Sequence, residues 1–162
     1  MVHMHTQSGG KLDFREIDQV FVPNEKTKNQ INVGSCNGDF ELEEIVKNTN
    51  NKIKKFLNVN ETDFDRSSVL CSKELEKKNI WLLPNTISEG KTKSFIDFQN
   101  DSTAKDIKLA LREGFKSIEH VKRYTTTGMA TDQGKLSNMH ALGIIADTAG
   151  VKMGALGTTT FR

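Results

Sequence analysis

Two stretches of the chain have the residue types and spacing that bind phosphate groups. In the first, Gly34 and Gly38 flank Ser35 directly before a long helical pattern. Glycines let the backbone approach an anion, and a helix N-terminus points free N–H groups at it, so this stretch could hold a nucleotide phosphate. The residues before it do not complete a strand-helix-strand unit, so a plain strand-to-helix turn is the alternative.

The second stretch, residues 122–135, is named the Thr loop. It has three consecutive threonines, basic residues before and after them, and glycines on both sides. Basic side chains, hydroxyls and converging amides together suit a phosphate group. The candidate cofactor-binding residues here are Lys122, Arg123, Thr125, Thr126, Gly128, Gln133, Gly134 and Lys135. Alternatively, the bases complement a helix C-terminus and the threonines cap turns, and composition alone leaves both interpretations open.

Other residues form no recognisable catalytic or metal-binding pattern. His120 and His140 lie beside apolar residues, without a serine, cysteine or second histidine at catalytic spacing, so each is expected to be a hydrogen-bonded structural residue. Only two cysteines occur, Cys36 and Cys71, and neither belongs to a Cys-x-x-Cys pair. Because a structural zinc site needs more thiolates than this, we predict no metal site and no catalytic residue.

Composition and charge exclude several classes of protein. The 162 residues include 23 basic and 21 acidic side chains, a net charge of +2, whereas a nucleic-acid-binding domain is strongly basic. No apolar run reaches the roughly 18 residues of a membrane-spanning helix, and the N-terminus lacks a basic region followed by an apolar one. We therefore expect a cytoplasmic protein that binds neither nucleic acid nor membrane.

Hydrophobic periodicity predicts an α+β chain. Apolar residues recur every three or four positions from Phe40 to Leu57, with acids first and lysines last, which indicates a helix. Thr103 and Asp106 have the spacing of a capping box before a helix that stops at Gly114. The other predicted helices cover 118–124 and 136 or 137 to 148, and the strands or extended segments cover 11–14, 20–22, 31–33, 79–84, 94–98 and 151–162.

One long segment resembles a known family. The segment from Phe95 to Lys135 contains Phe-Ile-Asp-Phe-Gln-Asn-Asp and, near its end, Arg-Tyr-Thr-Thr-Thr-Gly-Met-Ala-Thr-Asp-Gln-Gly-Lys. It closely resembles the central part of the α subunit of heterotetrameric sarcosine oxidases. Residues 3–11 and 157–162 are also similar to parts of that subunit. The resemblance covers nearly the whole chain and is weakest across residues 58–78.

The resemblance implies a fragment of a much longer subunit. In the complete enzyme, an oxidoreductase acting on a CH–NH bond, sarcosine is oxidised to glycine at a flavin in the β subunit. Electrons then pass to FMN at the α/β interface, where oxygen is reduced to hydrogen peroxide. The implied partners are the β, γ and δ subunits. FAD and tetrahydrofolate are implied only in other parts of the complex. The isolated fragment is expected to be inactive.

Two cofactors are implied for this chain itself. NAD is implied at a partial site, and FMN, shared with the β subunit, is implied at the Thr loop. The residues that match the NAD-contacting segment of the family are Gly34, Ser35, Gly38, Phe40 and Leu42.

The part from Phe95 to Thr148 also resembles the module named after the bacterioferritin-associated ferredoxin, which holds a two-iron two-sulfur cluster with four cysteines. The matching positions here are Asp97, Gln99, Asp132 and Ser137. Because the irons require sulfur ligands and none of these residues replaces a thiolate well, we expect the scaffold without an iron–sulfur cluster.

Four regions follow from the pattern and the resemblance together. Residues 1–57 are predicted to end a pyridine-nucleotide-binding α/β domain, with short strands and one long helix, and residues 58–91 to form a linker with a short extended segment around Trp81. Residues 92–150 are predicted to be a small module of about three helices, and residues 151–162 a tail leading to a folate-binding domain. The alternative function is a non-enzymatic docking module that holds subunits together and has no ligand of its own.

Overall fold

The computed structural model describes residues 2–24, 27, 30–59, 79–84, 91–131, 133 and 136–158. These residues form helices and two small antiparallel sheets, so the predicted α+β class is confirmed. The chain divides into two compact units, Met1–Lys77 with Phe161–Arg162, and Lys78–Thr160. The finer boundaries at 57, 91 and 150 stay predictions. Among the helices of the described residues, none has both the length and the apolar character needed to cross a bilayer.

The first unit begins with helix α1, His3–Gln7, and a hairpin of strands β1, Leu12–Arg15, and β2, Val20–Pro23. Both predicted strands are confirmed, and they pair antiparallel with each other. The segment 31–33 was expected to be another strand and is not, because it has no ladder partner in this hairpin.

Residues 34–37 form a single 3-10 turn, and the long helix α2 runs from Leu42 to Leu57. The helix prediction is confirmed, with its start two residues later than expected. Glu43 and Glu44 lie in its first turn and Lys54 and Lys55 in its last, which suits the helix dipole. No residue of α2 is fully buried within the described part of the chain.

His5 is a buried histidine that the sequence did not single out. Its ring Nε2 donates to the carbonyl oxygen of Lys11 at 2.9 Å, so its Nδ1 accepts from the amide of Asn32 at 3.0 Å. A side chain at Gly10 would overlap the ring. His5 therefore ties α1 to the segments before β1 and before the 3-10 turn.

The second unit is built on helix packing. Strand β3, Phe95–Asp97, pairs antiparallel with β4, Ser102–Thr103, and leads into helix α3, Ala104–Arg112. The predicted capping box is confirmed, since the Thr103 hydroxyl accepts from the Asp106 amide and the Asp106 carboxylate accepts from the Thr103 amide at 2.8 Å.

Three further helices follow in the described residues of this unit: α4, Ile118–Thr125, α5, Ser137–Ala149, and α6, Met153–Leu156. The core of the unit includes Ile107 of α3 with Val121, Leu142 and Ile145, which are almost fully buried. The helices predicted around 107–114, 118–124 and 137–148 are confirmed. The tail was expected to be extended, but its residues 153–156 form a helical turn whose Met153 is buried.

Trp81 was expected within a strand or buried extended segment, and the described residues 79–84 contain no strand. Ile80 and Leu83 are exposed, so the apolar run is not a core strand. The Trp81 ring instead lies against Gly143 of α5, where a Cβ would overlap it, and meets the His140 ring edge-on at 6.0 Å. A short segment ending at Pro84 thus contributes one anchoring contact rather than a strand.

Candidate functional site

The buried carboxylate of Asp97 joins two loops of the second unit. Its Oδ2 accepts from the backbone N–H of Gly128 at 2.7 Å and from the Asn100 amide side chain at 3.1 Å. Its Oδ1 accepts from the backbone N–H groups of Gln99 at 2.9 Å and Asn100 at 3.3 Å. Residues 97–100 are therefore tied to the Thr loop through a single side chain.

Asp97 remains ionised in this position. Burial on its own would raise the pKa of the carboxyl group, but the hydrogen bonds from Gly128, Asn100 and Gln99 stabilise the charged form and hold the pKa below its usual value. A carboxylate that accepts several backbone N–H bonds is a strong structural anchor. Asp97 thus positions the Thr loop rather than serving as a proton donor.

The first and third threonines of the Thr loop are used inside the fold. The Thr125 hydroxyl donates to the Val121 carbonyl at 2.8 Å and lies 2.8 Å from the Thr127 hydroxyl. The Ser102 hydroxyl donates to the Thr125 carbonyl at 2.6 Å. Thr127 is only 1% exposed, and the Gly128 amide is already held by Asp97. The hydroxyl of Thr125 and the amide of Gly128, both candidate phosphate contacts, are thus engaged within the module.

Other candidate phosphate-binding residues lie on the solvent-exposed side of the Thr loop. Thr126 is exposed and ends α4 in the left-handed region, with φ 59°. Arg123 is 62% exposed, with a guanidinium nitrogen 3.7 Å from Glu119, and Gln133 is exposed as well. Lys122 is half-buried in the last turn of α4. Gly134 and Lys135 lie outside the described residues.

The loop from Gly34 to Gly38 in the first unit is closed by its own hydrogen bonds. The Gly38 N–H donates to the Ser35 carbonyl at 3.1 Å, and the Asp39 N–H donates to the Gly34 carbonyl at 3.3 Å. The Gly38 carbonyl accepts from the Arg15 guanidinium, and a Cβ at Gly38 would lie 2.6 Å from Arg15 Nη2. The Arg15 guanidinium ends a flexible side chain and could move, so glycine is favoured at position 38 mainly by its left-handed backbone conformation, with φ 83°.

The start of α2 is not arranged as a phosphate site in the described residues. Glu41 is the N-cap residue, and two more glutamates follow in the first turn, so the positive end of the helix dipole already faces negative charge. Phe40 is 40% exposed and Leu42 57% exposed, and the Arg15 guanidinium lies 5.9 Å from the Phe40 ring centre. This region offers apolar and stacking surface rather than a cradle of free amides.

The four positions that match cluster cysteines have different surroundings. Asp97 is buried and fully engaged, Gln99 is exposed, and Ser137 is buried at the first residue of α5. Asp132 lies outside the described residues. Within the described ranges, no three His, Cys, Asp or Glu side chains gather in an arrangement that would hold a metal ion.

The two histidines expected to be hydrogen-bonded structural residues, His120 and His140, are both exposed. His140 meets the edge of Trp81, and the buried, hydrogen-bonded histidine of the described chain is His5. Adjacent residues of an α-helix are rotated by about 100°, so the buried Val121 and Ala141 lie on a different side of their helices from His120 and His140. The exposure of these two histidines is therefore set by their position on the helix and not by the apolar residues next to them in the sequence.

The second unit is thus a small helical module whose loops are joined by a buried carboxylate, and comparison places it in a family. The model of the sarcosine oxidase A3 domain matches residues 91–162. Sarcosine oxidase subunit alpha of Rhizobium meliloti (strain 1021) is 57% identical over 83 residues, covering 51% of this chain and 8% of that protein. The chain belongs to the family of sarcosine oxidase alpha subunits, as its sequence resemblance predicts.

The relationship extends beyond the helical module. Sarcosine oxidase subunit alpha of Corynebacterium sp. (strain P-1) is 33% identical over 170 aligned positions, covering all of this chain and 17% of that protein. The counterpart from Corynebacterium sp. (strain U-96) is 31% identical with the same coverage. The chain therefore spans about one sixth of the length of these two relatives, which are named as subunits of a larger assembly.

Proposed function

We propose that the chain supports a sarcosine oxidase complex that demethylates sarcosine oxidatively to glycine and forms hydrogen peroxide. The observation that carries this proposal is the similarity of the whole chain to proteins named sarcosine oxidase subunit alpha. The chain acts within an assembly with β, γ and δ subunits, and by itself it oxidises no sarcosine. Its part is to hold cofactors and to position them.

The Thr loop is the proposed contact with an FMN at the interface with the β subunit. Bound FMN would supply electron transfer to oxygen. In this proposal, Thr125 and Gly128 maintain the conformation of the loop through their hydrogen bonds to Val121 and Asp97. Arg123 and Thr126 are exposed and, with Lys122, would offer charge and a hydroxyl to a phosphate group. The Thr126 hydroxyl would have to leave the Thr125 carbonyl, to which it donates at 2.6 Å. Gln133, Gly134 and Lys135 complete the proposed contact.

NAD is the second proposed cofactor, with only a partial site in this chain. Because the Gly38 and Asp39 amides are paired within the loop, Gly34, Ser35 and Gly38 would provide close backbone packing rather than a complete phosphate cradle. Phe40 and Leu42 would provide apolar surface, since both are substantially exposed. The affinity of the chain alone for NAD is accordingly expected to be low.

The FMN proposal is tested in the assembled complex with Arg123→Ala and Lys135→Ala. Removal of one charge-assisted contact typically costs about 1.5–3 kcal/mol, roughly ten- to a hundred-fold in binding. We expect lower FMN content or slower oxygen-coupled turnover, while reduction of the first flavin by sarcosine stays near normal. Lys116→Ala is the matched control, because Lys116 is exposed and lies outside the Thr loop.

The competing proposal is a docking module without a ligand. It is favoured by the internal pairing of Thr125, Thr127 and Gly128, which leaves fewer free donors than the sequence suggests. Stopped-flow measurement of the two flavins separately distinguishes the proposals. If Arg123→Ala and Lys135→Ala change neither FMN content nor electron transfer, the loop has a structural role and the docking module is the better description.

A further inference from the structure

A groove of about 790 Å³ runs along α3 in the second unit. It is formed by residues 91–93, which lead into β3, together with residues of α3, and Phe95 and Leu109 add apolar surface. None of the described residues of the Thr loop lines it. This surface, named the basic groove, is therefore separate from the proposed FMN contact.

Among the described residues, five cationic side chains line the basic groove: Lys91, Lys93, Lys105, Lys108 and Arg112. The same part of the chain contributes two carboxylates, Asp101 and Asp106. Asp106 accepts hydrogen bonds from the hydroxyl and amide of Thr103 at 2.7 and 2.8 Å. Since the net charge of the whole chain is only +2, the groove holds a local excess of positive charge.

Helix amphipathicity accounts for part of this charge. Ala104, Ile107 and Ala110 of α3 are buried, so a charged outer face on that helix is ordinary. It does not account for Lys91 and Lys93, which come from a different segment and line the same groove. Cations from two segments along one groove create a field that attracts an anionic partner.

An apolar surface beside the basic groove indicates which kind of anionic partner fits the groove. A second, smaller groove of about 260 Å³ includes Leu82, Leu83 and Pro84 and shares Lys105 and Lys108 with the basic groove. Leu83 is 78% exposed. A free phosphate would make no use of this apolar surface, whereas a polypeptide combines carboxylates and apolar side chains, as protein interfaces do.

We propose that the basic groove docks an extended, acidic segment of another protein chain, with an apolar residue of that segment lying on Leu82 and Leu83. From Lys105 to Arg112 the helix rises about 10 Å, which three or four residues of an extended chain would match. Charge complementarity selects the acidic partner, and the adjoining apolar groove selects a polypeptide over a small anion.

The test measures binding of a short fluorescein-labelled peptide of glutamate and leucine to the full chain by fluorescence anisotropy. The groove variant is Lys91→Glu with Lys105→Glu. A glutamate at position 105 lies in the first turn of α3, where the helix dipole favours it, so the fold should be retained. The control is Lys116→Glu with Lys152→Glu, which changes the net charge equally at exposed positions outside the groove.

We expect the groove variant to weaken binding by about ten-fold or more at low salt and the control by about two-fold or less, since exposed charges at a distance are screened. Equal losses in both variants, or no detectable binding to the unaltered chain, would overturn the proposal. So would displacement of the labelled peptide by pyrophosphate as effectively as by unlabelled peptide, which would indicate a small-anion site.

Two further arms exclude a general attraction to negative charge. A peptide with serine in place of leucine should bind several-fold more weakly, and equal binding would remove the apolar part of the proposal. Binding to phosphatidylglycerol vesicles through Lys91 and Lys105, with no binding to the peptide, would assign the groove to a membrane and overturn it. Flavin content tests the FMN proposal separately, so either proposal can fail alone.

Discussion

Asp97→Asn is the substitution for which the structure gives the sharpest expectation. The Asp97 carboxylate accepts four hydrogen bonds, two at each oxygen. An asparagine fills the same volume but has only one acceptor oxygen, and its NH₂ group must face donors whichever way the side chain is turned. If the NH₂ group takes the position of Oδ1, it faces the backbone N–H groups of Gln99 and Asn100. If it takes the position of Oδ2, it faces the backbone N–H of Gly128 and the side-chain amide of Asn100.

The expected loss of stability has two parts. A buried N–H left without an acceptor costs about 1–3 kcal/mol, and replacing charge-assisted bonds with neutral ones costs about 1 kcal/mol more. We therefore expect the free energy of unfolding to fall by about 2–4 kcal/mol in Asp97→Asn. The control is Asp147→Asn, because Asp147 is exposed in the same unit, and its effect should lie within about 0.5 kcal/mol.

The pH dependence gives an independent check. Because the folded-state pKa of Asp97 lies below its ordinary value of 3.8, the ionised carboxylate contributes stability that is fully present above that value. This contribution is lost as the pH falls through the folded-state pKa. The difference in unfolding free energy between the unaltered chain and Asp97→Asn should thus be constant near neutral pH and shrink below about pH 4.

Urea unfolding followed by Trp81 fluorescence, repeated from neutral to acidic pH, measures both quantities. A loss no larger than that of Asp147→Asn would refute the anchoring role of Asp97. A loss that stays the same at acidic pH would refute its dependence on the carboxylate charge, and the destabilisation would then have to come from packing.

Three further expectations follow from the same structure. Gly143→Ala should destabilise the second unit by about 1–2 kcal/mol, because the new Cβ overlaps Trp81 and the gain in helix propensity offsets only part of the strain. In thermal unfolding, the double variant Trp81→Ala with Gly143→Ala should lose less stability than the sum of the losses in the two single variants. Protein purified without oxygen should be colourless and contain no stoichiometric iron or sulfide, and an iron–sulfur absorption band would contradict this. Titration calorimetry with NAD should detect weak binding or none, and a micromolar affinity would contradict the partial site.

The sequence predicted those parts of the fold that depend on neighbouring residues. The capping box at Thr103 and Asp106 joins residues three apart, and the helices follow from apolar spacing within a single turn or two. All the residues that form such a local pattern lie close together in the sequence, so the pattern can be recognised without the structure. The helices α3, α4 and α5 were accordingly predicted with their ends displaced by only a few residues.

The sequence did not predict the contacts between distant residues. Asp97 and Gly128 are 31 positions apart, and His5 and Asn32 are 27 apart, so no local pattern connects them. The strand expected at 31–33 does not form for a related reason, since a strand needs a hydrogen-bonded partner and, among the described residues, β1 and β2 pair only with each other. Long-range pairing decides these features, and periodicity carries no information about it.

The Thr loop shows how a local signal can be present and still be missed. Three adjacent hydroxyls suggest a uniform cradle, but Ile118, Val121 and Thr125 recur at helical spacing, which places Thr125 on the buried face of α4. Thr126 then takes a left-handed conformation and stays exposed, while Thr127 is buried beside Thr125. Two of the three hydroxyls are therefore buried within the module, and the third, on the exposed Thr126, donates to the Thr125 carbonyl at 2.6 Å. The proposed contact with a ligand therefore depends on Arg123 and its basic neighbours more than on the number of threonines.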